Sequence, residues 1–305
     1  MNPTIKLDRL TKDYGSGRGI FDVSLEIGEG EMFGFVGTNG SGKTTTIRNI
    51  MGFLLPTSGH SYVNGLESWS RSSDVIKDIG YVPGEIAFPD LRTGTEFLKS
   101  QADFLKIKDM TYANELIERL QLDPRAPLRR MSKGMKQKTA IVAALMADKK
   151  IIILDEPTTG LDPLMRDVFL DIIKAEHKKG KTILMSSHMF GELQDTCDRV
   201  ALIRNGKIVD IANMYDIHHR RENEYKIEFC LEDDYKRFKS AGYRITRDQS
   251  QYSQVTVCVA ADELNRMFSD LKNYKVKFIT EVKYDLERHF KNILFEDKEK
   301  SEDVK

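Results

Sequence analysis

"GTNGSGKT", residues 37–44, follows the apolar run "MFGFV" and leads into "TTIRNIMGFL". It fits the pattern GxxxxGK[ST], with Gly37, Gly42, Lys43 and Thr44 at the fixed positions. Glycines let the backbone turn tightly, so that successive N–H groups converge on phosphate oxygens at the positive end of the following helix. Lys43 then supplies charge to the β- and γ-phosphates, and the Thr44 hydroxyl is placed to ligate Mg²⁺. A merely structural glycine turn is the bland alternative. The strand–loop–helix context argues against it.

A second strand, "IIILDEP", carries Asp155 and Glu156 at its exit. An Asp there can hold Mg²⁺ opposite the phosphate loop. A Glu beside it can take a proton from an attacking water. The alternative is an acidic helix N-cap, since carboxylates favour that end of a helix. Two carboxylates after four apolar residues, downstream of a phosphate loop, speak against it.

The rest of the chain supports an enzyme of this kind. Its 305 residues are enough for two domains. Its 47 Lys+Arg balance 47 Asp+Glu, so no global field attracts nucleic acid or an anionic membrane. The N-terminus lacks the apolar region of a signal peptide, and no apolar run approaches the ~18–20 residues of a membrane span. Three scattered cysteines, Cys197, Cys230 and Cys258, fit a reduced cytosolic protein and form no metal-ligand pair.

Apolar strands alternate with helical patterns to about residue 215, which indicates an α/β fold with a mostly parallel sheet. "TGTEFLKSQADFLKI" (93–107) and "TYANELIERLQL" (111–122) have helical spacing, indicating an inserted helical subdomain at about 86–145. Residues 222–296 read strand–helix–strand–strand–helix–strand, the order of a small ferredoxin-like α+β domain. The charged tail, 297–305, is expected to be frayed.

"GTNGSGKTT", "MSKGMKQK", "IIILDEPTTGLDP" and "SSH", in this order and spacing, resemble the nucleotide-binding subunit of an ATP-binding-cassette transporter. The likeness covers residues 1 to about 215. With "YVPGE" and the appended domain, it is similar to prokaryotic export-type subunits that pair with a separately encoded membrane permease. The resemblance implies a P-loop NTPase cassette, an ATPase using ATP and Mg²⁺, held at the cytoplasmic side of the membrane through that permease. It implies that Gly37, Thr38, Asn39, Gly40, Ser41, Gly42, Lys43, Thr44 and Thr45 bind the triphosphate, and that Tyr14 stacks on adenine. Asp155, with Thr44, would serve Mg²⁺, and Glu156 would polarise the water. His188 would contact the γ-phosphate. Asp162 would bridge two subunits. Ser132 and Gly134 fall in the family signature, which closes over the nucleotide of the other subunit in a head-to-tail dimer.

Two departures stand out. Lys133 replaces the first signature glycine and Met135 the final Gln. Gly84, in "YVPGE", stands where the family has a Gln that touches the metal and relays nucleotide state to the permease; Glu85 is adjacent. Glycine was expected there for its freedom to take positive φ and for close approach. Two other functions remain open: a soluble cassette ATPase acting on ribosomes or DNA, and an ATP-gated regulator sensing a ligand through the C-terminal domain. One cassette and no long heptad stretch argue against the first, so no nucleic-acid partner is expected.

Overall fold

The computed structural model describes the backbone of residues 3–302 and the side chains of residues 3–294. It divides the chain into Met1–Met214 and Tyr215–Lys305. Among the described residues no helix is long and apolar enough to cross a membrane.

The first unit opens with alternating sequence. β1 (Ile5–Asp13) buries Ile5, Leu7 and Leu10, and β2 (Gly19–Ile27) buries Ile20, Val23, Leu25 and Ile27, an alternation broken by one three-residue step in each strand, as suits a sheet with one covered face. They pair antiparallel, Ile5 opposite Ile27, with register shifts after Leu7 and Leu10. β4 (Ser58–Val63) and β5 (Leu66–Glu67) complete a sheet ordered β2-β1-β4-β5. A mostly parallel sheet was expected throughout, so this antiparallel layer is an addition to that reading.

β3 (Met32–Val36), β6 (Ile79–Val82), β7 (Ile151–Asp155), β8 (Thr182–Ser187), β9 (Arg199–Arg204) and β10 (Lys207–Asn213) form the second sheet, ordered β10-β9-β3-β8-β7-β6. All its pairings are parallel except β9 with β10. Every residue of β3, β7 and β8 is buried, which explains their nearly unbroken apolar sequence. Ile47 and Ile50 of α1 (Lys43–Ile50) join Phe33, Phe35, Ile153 and Leu184 in one core with Ile5, Leu7 and Val23 of the antiparallel sheet. Each such side chain contributes about 1.5–3 kcal/mol by leaving water.

α2 (Ser72–Val75) precedes β6, and three helices follow it: α3 (Gly94–Leu105), α4 (Thr111–Arg119) and α5 (Lys133–Leu145). Thr93 caps α3 by accepting from the Glu96 N–H. α6 (Pro163–Lys178) and α7 (Phe190–Gln194) flank β8. The register sets Asp155 opposite Ser186 and Val36 opposite Ser187. The carboxyl ends of three adjacent strands therefore finish level, the place where parallel sheets gather ligand-binding loops.

After α8 (Met214–His218), the second unit runs β11 (Glu222–Phe229), α9 (Glu232–Lys239), β12 (Arg244–Gln249), β13 (Gln254–Ala260), α10 (Leu264–Leu271), β14 (Val276–Val282) and α11 (Leu286–Glu302). Its sheet is antiparallel and ordered β12-β13-β11-β14. Ile227, Val255 and Val257 pack with Phe238 and Met267 from α9 and α10. This is the strand–helix–strand–strand–helix–strand order read from the pattern. The tail differs from expectation in that its backbone is helical as far as Glu302; residues 303–305 lie outside the described residues.

Candidate nucleotide-binding and hydrolysis site

The loop after β3 is shaped by what its glycines leave out. Gly42 has φ 118°, and a Cβ there would sit 2.7 Å from Ile20 Cγ2, so only glycine can start α1 at this point. At Gly37 a Cβ would come within 2.4 Å of the Ile203 carbonyl. No side chain caps α1, so its first N–H groups face the loop. Lys43, only 5 % exposed, folds back to donate to the carbonyls of Gly37 (2.6 Å) and Thr38 (3.2 Å).

The loop lines a cavity of about 950 Å³. Asn39, Gly40, Ser41, Gly42, Lys43, Thr44 and Thr45 form its floor, with Tyr14, Arg48, Gly84, Lys133, Glu156 and His188 around it. The half-exposed Tyr14 ring has the Lys12 ammonium 5.6 Å above its face. Gly37, Thr38 and Asp155 are not part of this lining.

Asp155 ends β7 fully buried, and α6 begins only at Pro163, so the helix-cap reading of the acidic pair falls away. Its Oδ1 accepts from Ser186 Oγ at 2.7 Å. Its Oδ2 has no hydrogen-bond partner among the described residues. A buried carboxylate oxygen without a donor is costly unless something positive reaches it. Together with the Thr44 hydroxyl at the cavity, that oxygen fits a hard divalent cation that takes oxygen ligands and completes its shell with phosphate and water. Tyr81 feels the same region: burial, then the charge of Asp155, pushes its hydroxyl up to about 12.

At Glu156 the chain leaves the strand in the left-handed region, φ 50°, a conformation that costs a non-glycine residue about 1 kcal/mol or more. Its N–H donates to Ser186 Oγ at 2.9 Å, which holds the turn. One carboxylate oxygen lies 3.1 Å from Lys43 Nζ and the other 2.7 Å from His188 Nδ1. Burial alone would raise this carboxyl; the hydrogen bonds from His188 and Lys43 outweigh it and hold the group below its ordinary value. Glu156 is thus ionised and aimed into the cavity.

The remaining sequence candidates lie nearby but have local tasks. Ser132 is the exposed N-cap of α5, its Oγ accepting from Met135 N at 3.2 Å. A Cβ on Gly134 would meet the Gly160 carbonyl at 2.6 Å, so glycine is needed where α5 rests on that turn. The Lys133 stem covers Gly160, and the residue lines the cavity rather than pointing away. Asp162 caps α6 by accepting from Met165 N at 3.0 Å. Gly84 keeps one of its two expected reasons. Its φ is not positive, but the close approach is there: a Cβ would lie 3.0 Å from Asp155 Oδ2.

The ABC transporter family matches residues 20–159. The bacitracin transport ATP-binding protein BcrA of Bacillus licheniformis is 33% identical over 242 residues, covering 77% of this chain and 78% of that protein. The chain belongs to the ABC transporter family, as an ATP-binding subunit. The linearmycin resistance ATP-binding protein LnrL of Bacillus subtilis is 32% identical over 235 residues, covering 74% of this chain and 75% of that one. A solved structure described as a dimeric post-hydrolysis state of the ATP-binding cassette MJ0796, bound to ADP and Pi, matches with TM-score 0.62 and 25% identity. It covers 69% of this chain and 98% of that one. ABC cassettes are ATPases that energise transport, and the cavity's phosphate loop and ionised Glu156 suit that chemistry.

The sequence reading passed over two groups that position this site. Ser186 bonds both Asp155 and the Glu156 N–H, and the signal available was a hydroxyl pair ending an apolar strand. Glu192, buried on α7, bonds Thr158 and Ser187 and had no signal beyond its nearness to His188.

Proposed function

We propose that this chain hydrolyses ATP at a site composed by two copies in head-to-tail arrangement, and so energises export through a separately encoded membrane permease at the cytoplasmic face. The reading is carried by one observation, the Lys43–Glu156–His188 cluster at the level ends of three adjacent strands. The triphosphate lies along the loop from Gly37 to Thr45, with Lys43 on its β- and γ-phosphates. Tyr14, at the rim, stacks on adenine. Asp155 and Thr44 would hold Mg²⁺, which when bound would neutralise phosphate charge. Glu156 takes the proton of the attacking water, and His188 keeps that carboxylate and the γ-phosphate in register.

Support for a shared site comes from α5. Ser132 accepts a hydrogen bond from its own helix, which leaves its hydroxyl proton available, and the first turn of α5 carries free N–H donors. These are suitable donors to a γ-phosphate bound by another subunit, and Asp162, at the start of α6, would lie across the same interface. A solved cassette described as dimeric and bound to ADP and Pi supports pairing of two copies. The relatives named for bacitracin transport and linearmycin resistance favour export. The test is reconstitution with the membrane permease that copurifies with it: ATP inside proteoliposomes should drive substrate across the membrane, and Glu156→Gln should stop it. Transport by the variant at the normal rate would overturn the proposal.

A further inference from the structure

Glu192 is a buried carboxylate that the hydrolytic reading leaves without a task. It is 4 % exposed, on α7, four residues after His188. Its Oε2 accepts from Thr158 Oγ1 at 3.1 Å and from Ser187 Oγ at 2.6 Å. Thr158 is two residues beyond Glu156, and Ser187 directly precedes His188. Ser187 Oγ in turn accepts from Met189 N at 3.0 Å, so the backbone on both sides of His188 is pinned. The other oxygen, Oε1, lies 3.3 Å from Arg166 Nε, near enough for an ion pair but not aligned for a hydrogen bond. Arg166 sits on α6, one turn after the Asp162 cap. One carboxylate therefore touches three segments: the one leaving Glu156, the one carrying His188, and the helix that begins at Asp162.

We infer that Glu192 is a positioning residue for hydrolysis, holding His188 against Glu156. The inference rests on the roles proposed above for those two residues. A buried charge is kept only where its partners are fixed, because losing any of them leaves it unpaired. The partners here are therefore held in one arrangement. Loss of the anchor displaces the imidazole without touching the phosphate loop, so it slows turnover and spares nucleotide binding. Displacements of about 1 Å in such a group cost up to about 100-fold.

The experiment is steady-state hydrolysis by Glu192→Gln, His188→Ala, the double variant and Glu156→Gln, with ATP affinity measured separately, well below the melting temperature. Glu192→Gln should lower kcat about 10-fold or more and leave KM and ATP affinity within about twofold. In the His188→Ala background it should add little, because the residue through which it acts is gone. An unchanged kcat, or the same fold-loss in both backgrounds, overturns the inference. If Glu156→Gln keeps its turnover, the underlying reading fails and takes this one with it; if only Glu192→Gln keeps it, the underlying reading stands. Should Glu192→Gln not fold, Thr158→Val, which removes one bond and no charge, should show the same kcat-only loss, and its absence would count equally against the role.

Discussion

The Lys43 ammonium lies 3.1 Å from Glu156 Oε1, so the charge meant for phosphate is held by the group meant for water. A triphosphate entering the loop must draw Lys43 toward itself, and Glu156 is left to His188 on its other side. Glu156→Gln removes the competing charge. Its ATP dissociation constant should equal the wild-type value or fall below it, while turnover drops on the order of 100-fold or more. Equilibrium binding and phosphate release measured on the same preparation check both halves. Weaker binding in the variant would contradict the competition.

A Cβ on Gly84 would crowd Asp155 Oδ2, the oxygen with no hydrogen-bond partner among the described residues. A methyl group 3.0 Å from that oxygen must push it or the backbone aside. Overpacking of this kind costs about 1 kcal/mol or more. Gly84→Ala should therefore raise the Mg²⁺ concentration for half-maximal hydrolysis about fivefold or more, with metal-free nucleotide binding unchanged. An unaltered Mg²⁺ dependence would remove Asp155 Oδ2 from the metal.

How far the sequence discloses this site follows from the kind of interaction involved. The phosphate loop is legible because its backbone demands glycines at fixed spacing, and Asp155 and Glu156 because they interrupt an apolar strand. The βαββαβ order of the second unit shows in alternating patterns and helix-spaced apolar residues. β1 hides its pairing: its alternation breaks at two register shifts, and lysines and aspartates fill its outer face. The contacts that join distant segments left no mark. Ser186 meets Glu156 across 30 residues and Thr158 meets Glu192 across 34; a hydroxyl pair at a strand end does not name its partner, and a lone glutamate has no pattern to announce it. At Gly84 the sequence leaves two reasons open, because close approach and positive φ call for the same amino acid; only close approach holds.

Glu176, 1 % exposed on α6, accepts hydrogen bonds from Tyr112, Lys179 and Lys181. Burial pushes its carboxyl up, but those bonds outweigh it and hold the group below its usual 4.5. A depressed folded value means its stabilisation is complete above the unfolded value and fades as pH falls through the folded one. Glu176→Gln leaves Lys181 with Asp148 as its remaining carboxylate partner and should cost about 1.5–3 kcal/mol at pH 7. Urea unfolding of both proteins should show the gap closing below about pH 4. A gap that stays constant down to pH 3 would contradict the ion-pair account.

The claim that two subunits build each hydrolytic site is tested most directly by mixing two broken ones. Lys43→Ala removes the phosphate charge, and Ser132→Arg blocks the signature at an exposed position, giving up the cap on α5 at a cost of about 1 kcal/mol. In a heterodimer of the two, one site unites an intact loop with an intact Ser132. ATP hydrolysis is measured for each variant alone and for an equimolar mixture whose subunit exchange is verified. The account predicts near-zero turnover for each alone and clear recovery in the mixture. Recovery of nothing, with exchange proven, would contradict it.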